Sequence, residues 1–483
     1  MNLQNKLKNS LDSKGTAVID KTGKHSYREL KDCCLGIIDF INKGNIHKVS
    51  LCLEQSFEAY AWIISCYMTH IEYSPIDPNA PAIWKKKCAD MFSPDIVVCS
   101  DGFRDFSFRR FVRPDLSDAC SKTKIEYSTP HNKIQTTNFY TLFTSGTTGI
   151  PKAVVVSRHA LENFIKFGAE EYGVNNCDVC SQFSKLTFDL SIFDIFISLS
   201  NGACLVSFFS KISKLFPAEM VDKYKITFWH SVPNVIDYFV KSQNAKGKLS
   251  SVRLFNFAGE TLYVSKVKEL FSVNNNCVIY NVFGHTETTF CMYQKVTIND
   301  YLDYSNNISI SIGNTIPGYS YVVKNWDKES NSGELVIVGD EIAEGYLNGD
   351  EKHVFNTLYS NGKTIRYFLS GDYVSFYNGK LFYNGRLDEQ YKVHGFRCNT
   401  DEIDNILFAF GISSKTIFFK NNLYTYVLSL SFNEKEVYEI IERNLPEYYR
   451  PMRVISIEAF PLNSSGKVDK NMLEALLINI GDD

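Results

Sequence analysis

Short apolar runs alternate with segments of helical periodicity through most of the first 300 residues. Between the runs, apolar residues recur with the spacing of an amphipathic helix, for example from about residue 160. The runs that are typical of buried strands lie at residues 49–53, 95–100, 139–143, 153–156, 203–208, 226–232, 254–259 and 278–284. Because strands that alternate with helices favour parallel sheets covered by helices, the sequence predicts an α/β fold.

The pattern changes twice towards the C-terminus. Residues 307–380 lose the helical period and become rich in predicted strands. The last hundred or so residues have the pattern of a small α+β unit, with an alternating strand at 424–432 and an amphipathic helix at 434–445. We therefore predict a large N-terminal domain, residues 1–387, of layered α/β subdomains plus a β-rich subdomain. A small, mobile α+β C-terminal domain is predicted over residues 388–483.

Composition limits the class of partner. The 483 residues carry 51 Lys and Arg against 54 Asp and Glu, a balance that gives no reason to expect nucleic acid or an anionic membrane. The longest apolar stretch, residues 59–68, is about half a membrane span, and the N-terminus lacks a secretory signal. We expect a cytoplasmic protein with no membrane span.

Cys177 and Cys180 form a lone C-x-x-C without a second pair, so no metal or redox role is predicted for them.

A loop rich in Ser, Thr and Gly follows the predicted strand at 139–143. It reads Phe-Thr-Ser-Gly-Thr-Thr-Gly-Ile-Pro-Lys over residues 143–152 and does not fit the Walker A pattern. Its backbone N–H groups and hydroxyls could surround phosphate oxygens, and Lys152 would add a positive charge. Taken alone, such a cluster is more typical of an ordinary polar loop.

Further segments occur in a fixed order along nearly the whole chain, and together they resemble the adenylate-forming superfamily. Within it, they are similar to the amino-acid adenylation domains of nonribosomal peptide synthetases and to the D-alanine–carrier-protein ligases. The segments are residues 25–30, 73–78, 143–152, 187–196, 281–289, 333–347, 368–374, 385–403 and 463–470. The resemblance implies ATP-dependent activation of a carboxylic acid, a reaction that needs positioning and charge neutralisation rather than a protein nucleophile.

The resemblance implies that several of these segments bind ATP. Phe283 would lie against adenine, Asp372 would take the two ribose hydroxyls, and Arg386 would contact ribose or phosphate. The implied ATP-binding residues are Thr144, Ser145, Gly146, Thr147, Thr148, Gly149, Lys152, Gly259, Glu260, Phe283, Asp372 and Arg386.

The resemblance also assigns the catalytic groups. Glu287 would bind Mg²⁺, a hard cation suited to a carboxylate and phosphate oxygens. Thr286 would hydrogen-bond the α-phosphate, and Lys467 would bridge the attacking carboxylate and the α-phosphate. Asp388 would be the hinge about which the C-terminal domain rotates after adenylation, presenting residues 389–397 to the incoming thiol.

Asp189 decides the class of substrate. It interrupts an apolar run, where an unpaired carboxylate is costly, so a helix N-cap or an ion pair is the structural alternative. In the resembled family this position binds the substrate ammonium. The residues implied to line the substrate pocket are Asp189, Leu190, Phe193, His230, Asn256, Ala258, Val282, Phe290 and Cys291. Two phenylalanines favour a small side chain, glycine or alanine, with proline or serine as alternatives. His230 and Asn256 could serve a substrate hydroxyl or bond one another.

Three positions depart from the resembled pattern. Ala153 stands where glycine is usual, His285 where proline usually precedes the Thr-Glu pair, and His394 where arginine is common. All three lie beside the implied catalytic groups rather than replacing them.

The expected activity is that of a free-standing ligase. Only sixteen residues follow Lys467, which leaves no room for a carrier domain, so the acceptor is expected to be a separate phosphopantetheinylated carrier protein. Two alternatives remain: an acyl- or aryl-CoA ligase, and a catalytically silent binding protein with the same fold. Asp189 argues against the first alternative, and the intact Lys467, Glu287 and Asp372 argue against the second. The identity and chirality of the amino acid, the carrier and the oligomeric state stay open.

Overall fold

Helices and strands alternate through the first two-thirds of the chain in a computed structural model. The structure describes residues 2–99, 111–112, 137–144, 151–304, 307–347, 349, 354–360, 363–387, 390–393, 395–428, 433–462 and 468–479. The strands are β1 Thr16–Asp20, β2 Gly23–Ser26, β3 Lys48–Cys52, β4 Glu72–Pro75, β5 Ile96–Cys99, β6 Phe111–Val112, β7 Asn138–Thr144, β8 Lys152–Ser157, β9 Val179–Gln182, β10 Cys204–Ser207, β11 Phe228–Ser231, β12 Leu254–Ala258, β13 Val278–His285, β14 Thr289–Val296, β15 Asn314–Thr315, β16 Tyr319–Asp327, β17 Ser332–Gly339, β18 Gly345–Tyr346, β19 Phe355–Ser360, β20 Lys363–Tyr377, β21 Lys380–Arg386, β22 Gln390–Val393, β23 Phe396–Asn399, β24 Ser414–Phe419, β25 Asn422–Leu428 and β26 Arg453–Ile457.

Local sequence signals place the helix ends. Ser26 and Glu29 form a reciprocal capping box at the start of one helix, and Gly173 ends another in the left-handed conformation with φ of 60°. The α-helices are α1 Leu3–Leu11, α2 Tyr27–Gly44, α3 Phe57–Met68, α4 Ala82–Phe92, α5 Arg158–Tyr172, α6 Asp189–Leu199, α7 Lys211–Leu215, α8 Pro217–Tyr224, α9 Val235–Val240, α10 Ala245–Lys248, α11 Val264–Val273, α12 Thr400–Ala409, α13 Glu434–Asn444 and α14 Lys470–Asn479. Short 3₁₀ helices lie at Asp300–Tyr304 and Glu447–Tyr449.

Two large sheets carry most of the strands that the sequence predicted. Among the described residues, one sheet has the order β15-β14-β13-β12-β11-β9-β10-β1-β2 and is parallel from β13 to β1. The other has the order β18-β8-β7-β4-β3-β5-β6, with parallel pairs from β7 to β6. Helices α2, α3, α5 and α6 share one buried apolar cluster with strands of both sheets. The predicted α/β class is therefore confirmed.

A separate antiparallel sheet accounts for the strand-rich region near 307–380. Its order is β16-β17-β20-β19, and β21 pairs with β20.

Helices α8, α9 and α11 form a second buried cluster with strands of the larger parallel sheet. At its edge, β13 and β14 pair in antiparallel fashion, so the chain turns directly from one strand into the other. That turn carries candidate site residues.

The chain divides into two compact units. The first comprises Met1–Pro78, Ala89–Phe143 and Ala153–Leu387, and the second comprises Asn79–Cys88, Thr144–Lys152 and Asp388–Asp483. In the second unit, β24, β25 and β26 form a sheet, β22 and β23 form a hairpin, and α14 contributes to the small core that covers the sheet. Within the described ranges, no helix is both long and apolar enough to cross a membrane.

Candidate functional site

Asp372 and Arg386 face one another across adjacent strands. They are directly opposed in the register of β20 and β21, and an Arg386 guanidinium nitrogen donates to Asp372 Oδ1 at 2.8 Å. Gly371, at φ of 71°, precedes the aspartate, where the pairing of the two strands is irregular. The Asp372 backbone N–H donates to Ser370 Oγ, which fixes the main chain at this point. Both members of the pair are almost fully buried.

The end of β13 brings two further side chains to this pair. His285 Nε2 lies 2.5 Å from Asp372 Oδ2, and both side chains are buried. The Phe283 ring meets the His285 ring edge-on, with centroids 5.2 Å apart, and lies 6.1 Å from the Tyr383 ring. Side chains from two distant segments, with His285 and Asp372 87 positions apart, thus form one cluster of an aromatic face, a carboxylate and two nitrogen donors. We call Phe283, His285, Asp372 and Arg386 the carboxylate cluster.

The turn between β13 and β14 holds the predicted catalytic residues Thr286 and Glu287. A Cβ on Gly284 would lie 1.7 Å from the Thr289 carbonyl oxygen, so only glycine fits this tight approach. Thr286 is half-buried, whereas Glu287 is fully buried. Thr286 and Glu287 therefore directly follow His285, a member of the carboxylate cluster, in the sequence.

Glu287 is positioned by a second sequence segment. The Tyr346 hydroxyl donates to Glu287 Oε1 at 2.7 Å, and the Glu287 carbonyl accepts the Ala343 N–H at 2.8 Å. Tyr346 lies on β18, which pairs with β8. A carboxylate held in this way fits Mg²⁺, which commonly takes one or two protein carboxylates and completes its shell with water and phosphate oxygens. Within the described part of the chain, no group of three or more His, Cys, Asp and Glu side chains could hold a metal on its own.

The predicted ammonium-binding carboxylate begins a helix. Asp189 is the first residue of α6, is half-buried, and its Oδ1 accepts the N–H of Leu190 at 2.9 Å. The N-cap residue is Phe188, so the N-cap alternative for Asp189 is not found. A negative charge in the first turn of a helix interacts favourably with the helix dipole. Leu190, the next residue, and Phe193, about one helical turn after Asp189, are both buried.

The other predicted pocket residues lie on strands at one edge of the large sheet. Asn256 pairs in register with His230, and Ala258 pairs with Val282. His230 and Ala258 lie at or near the carboxyl ends of β11 and β12, where ligands bind in open parallel sheets. Cys291 follows on β14 and is also fully buried.

Aromatic rings fill the space between α6 and these strands. The Phe193 and Phe290 centroids are 5.0 Å apart, and His230 lies 5.4 Å from Phe193 and 5.6 Å from Phe290. Phe164, on α5, packs on both phenylalanines at 5.8 and 5.7 Å. The residues predicted to limit the depth of the pocket are therefore in mutual contact.

The partner of His230 is a residue that the sequence did not single out. His230 Nδ1 lies 2.5 Å from Asp194 Oδ1, and both side chains are fully buried. The bond between His230 and Asn256, one of the two alternatives drawn from the sequence, does not form. Asp194 was missed because it appeared as one more polar residue in an apolar run. Burial raises the pKa of Asp194 to about 6, although His230 acts in the opposite direction.

We expect Asp194→Asn to change how stability depends on pH. The pKa of Asp194 is higher in the folded chain than in the unfolded chain, so its stabilising contribution is complete below about pH 4. That contribution is lost as the pH rises through about 6. The free energy of unfolding of the variant, relative to the wild type, should rise by about 3 kcal/mol between pH 4 and pH 7. Urea unfolding at several pH values would measure it.

Asp178→Asn is the matched control. Burial acts to raise the pKa of Asp178, but hydrogen bonds from Arg253 and Thr227 hold that pKa below its usual value. Its stabilising contribution is therefore present at neutral pH and is lost as the pH falls through the lowered pKa. Between pH 4 and pH 7, where the Asp194 variant gains stability, the Asp178 variant should therefore keep a nearly constant deficit relative to the wild type. That deficit should shrink only below about pH 4. A constant difference for the Asp194 variant would contradict the assignment.

The predicted phosphate loop is described only at its ends. Thr144 ends β7 and Lys152 begins β8. Thr144 Oγ1 is buried and has no hydrogen-bond partner in the part of the chain that the structure describes. Gly259, at φ of 91°, and the partly buried Glu260 directly follow β12. The predicted residues Ser145, Gly146, Thr147, Thr148, Gly149, Asp388, His394 and Lys467 lie outside the described residues.

Comparison with known proteins identifies the family. The family model described as "AMP-binding enzyme" matches residues 11–347. The chain is 26% identical over 487 residues to a D-alanine--D-alanyl carrier protein ligase of Bacillus cytotoxicus, with 95% of each chain covered. It is 27% identical over 452 residues to the protein of the same name from Lacticaseibacillus casei, with 87% of each covered.

Solved structures share the fold. The Vibrio cholerae adenylation domain AlmE, in complex with glycyl-adenosine-5'-phosphate, superposes with a TM-score of 0.81 at 22% identity, covering 99% of this chain and 98% of that one. PA1221, a nonribosomal peptide synthetase protein with adenylation and carrier domains, gives 0.83 at 21% identity, covering 98% and 84%. Since the family model matches more than half of the chain, the resemblance seen in the motifs is confirmed, and the chain belongs to the AMP-binding enzyme family.

Proposed function

We propose that this chain is an AMP-forming amino acid–[carrier protein] ligase. It activates a small amino acid with ATP as the aminoacyl-adenylate and then transfers it to the phosphopantetheine thiol of a separate carrier protein. Glycine or alanine is the favoured substrate, with proline or serine as alternatives. The names of the D-alanine ligase relatives, and the glycyl-adenylate held by AlmE, support a small amino acid.

The observation that carries this proposal is the position of Asp189 at the start of α6, beside a pocket filled by aromatic rings. Its half-buried carboxylate is complementary to an ammonium group. Phe193 and Phe290, which contact one another, leave little depth for a side chain attached to that ammonium-bearing carbon. A small α-amino acid satisfies both features, whereas a plain carboxylic acid brings no ammonium group to the carboxylate of Asp189.

In the first step, a carboxylate oxygen of the amino acid attacks the α-phosphorus of ATP. The new C–O–P linkage forms as the bond from the α-phosphorus to the bridging oxygen breaks, and pyrophosphate leaves. Asp372 and Arg386 hold the ribose, and Phe283 contacts adenine. Lys467 and Thr286 donate to the oxygens on which negative charge develops. Glu287 would hold Mg²⁺, which would neutralise charge on the phosphates when bound.

In the second step, the carrier thiol releases its proton to solvent, and the thiolate attacks the carbonyl carbon of the adenylate. The carbon–sulfur bond forms, the bond from that carbon to the AMP oxygen breaks, and AMP leaves. We propose that residues 1–387 bind ATP and the amino acid, and that residues 388–483 rotate about Asp388 between the two steps. The rotation would withdraw Lys467 once its task in adenylation is complete.

Amino-acid-dependent exchange of pyrophosphate into ATP tests this proposal. The exchange rate is measured for the wild type and for Asp189→Asn with each candidate acid. The acids are the twenty amino acids, D-alanine, β-alanine, and simple fatty and aryl acids. We expect one small amino acid to give a strong signal, and the variant to lose about thirty-fold because a charge-assisted contact to the ammonium is removed.

Two results would redirect the proposal. Exchange with a plain carboxylic acid that survives Asp189→Asn would favour an acyl- or aryl-CoA ligase. Absence of exchange with every acid, in a protein that still binds ATP, would favour a binding protein. Either outcome contradicts amino-acid activation.

A further inference from the structure

His285 contacts Asp372, a partner that the sequence did not predict. It occupies a position where the resembled motif usually has proline, which has no side-chain donor. In the structure its Nε2 lies 2.5 Å from Asp372 Oδ2, while Arg386 donates to Oδ1 at 2.8 Å. The two oxygens of one carboxylate therefore each contact a nitrogen from a different strand.

The His285 ring is held on its other sides as well. Its Nδ1 lies 3.3 Å from Thr288 Oγ1, which also accepts the His285 backbone N–H at 3.1 Å. The Phe283 and Phe368 rings pack at 5.2 and 5.5 Å. Because an ionised carboxylate can only accept, the hydrogen between the two groups lies on His285 Nε2 and points at Asp372. The ring is thus a fixed donor, since its packing leaves it little rotational freedom.

We propose that His285 is a positioning residue for the Asp372 carboxylate, and that selection of a ribonucleotide depends on it. This inference rests on the proposed use of ATP. Held by His285 on one oxygen and by Arg386 on the other, the carboxylate cannot rotate about its last side-chain bond. A carboxylate has acceptor sites for about four hydrogen bonds, so these two contacts are compatible with bonds from the two ribose hydroxyls. Fixing the carboxylate in advance lowers the entropic cost of forming those bonds.

Two amide variants separate positioning from packing. Glutamine can place its amide N–H near the position of His285 Nε2, whereas the shorter asparagine places it near Nδ1, away from Asp372. Isothermal calorimetry measures binding of ATP, 2′-deoxy-ATP and 3′-deoxy-ATP without any amino acid. We expect His285→Asn to weaken ATP about ten-fold and to bind the two deoxynucleotides almost as well as ATP. His285→Gln should retain most of the wild-type preference.

The outcomes distinguish this inference from the proposed function. A wild type that binds no ATP would overturn both. A wild type that prefers ATP over its deoxy analogues, with a His285→Asn variant that keeps the same preference, would overturn the role of His285 alone. Tighter ATP binding by His285→Asn would overturn it too, because the ring would then compete with the ribose. Equal losses in the asparagine and glutamine variants would show that the ring only packs.

Discussion

Glu287→Gln is expected to slow amino-acid-dependent pyrophosphate exchange by about a hundred- to thousand-fold. Glu287 is fully buried, and its Oε1 accepts the Tyr346 hydroxyl at 2.7 Å. Glutamine has the same shape and can accept the same hydrogen bond, so the change removes little except the negative charge. Because that charge is proposed to hold Mg²⁺ beside the phosphates, the loss should fall on nucleotide chemistry rather than on folding.

The measurement pairs kinetics with binding. Exchange is followed across Mg²⁺ concentrations, and calorimetry reports how far added Mg²⁺ tightens ATP binding. We expect that tightening to disappear in Glu287→Gln, while the thermal unfolding midpoint stays the same or rises. Tyr346→Phe is the matched control, since it deletes one hydroxyl and keeps the carboxylate, and its loss should be about ten-fold. A Glu287→Gln enzyme within ten-fold of the wild type would rule out the assigned role.

The order of elements could be predicted from the sequence more completely than their arrangement. Strands at residues 226–232, 254–259 and 278–284 were expected and are found as β11, β12 and β13. Each is a short, mostly apolar run without the strict alternation of a half-buried strand, which is typical of strands buried on both faces. The order of the strands in the sheet was not predicted from the sequence. In the structure, β9 lies between β10 and β11, and β1 pairs with β10. β1 and β10 are distant in sequence, and no local pattern records which strands pair.

The candidate site shows the same division. Motif resemblance predicted roles for Asp372 and Glu287, but it did not identify what each contacts. Their partners, His285 and Tyr346, come from other segments, and only the folded sheet brings them together. His285 was noted as a departure from the usual proline, which was the one available signal. The sequence therefore proposes candidate groups for the reaction, whereas the contacts that orient them are seen only in the structure.

The second large effect is expected at the aromatic pocket, where Phe290→Ala should both destabilise the chain and widen its substrate range. Phe290 is almost fully buried and packs against Phe193, His230 and Phe164. Removing its ring leaves a cavity, and the free energy of unfolding should fall by about 3–5 kcal/mol. The same space would admit a longer side chain next to the ammonium-binding Asp189. Each added methylene in an apolar pocket is worth about 1–3 kcal/mol, so valine or leucine should gain at least ten-fold relative to the small substrate.

Phe164→Ala separates these two effects. Phe164 contacts both Phe193 and Phe290 but lies on α5, outside the residues predicted to line the pocket. Its loss should destabilise the chain by a similar amount, since it is just as buried, and should leave the substrate preference unchanged. Urea unfolding and pyrophosphate exchange with glycine, alanine, valine and leucine measure both quantities in each variant. If the two variants widen the range equally, a loosened core rather than pocket depth sets the specificity. If only Phe290→Ala admits valine or leucine, its ring limits the length of the substrate.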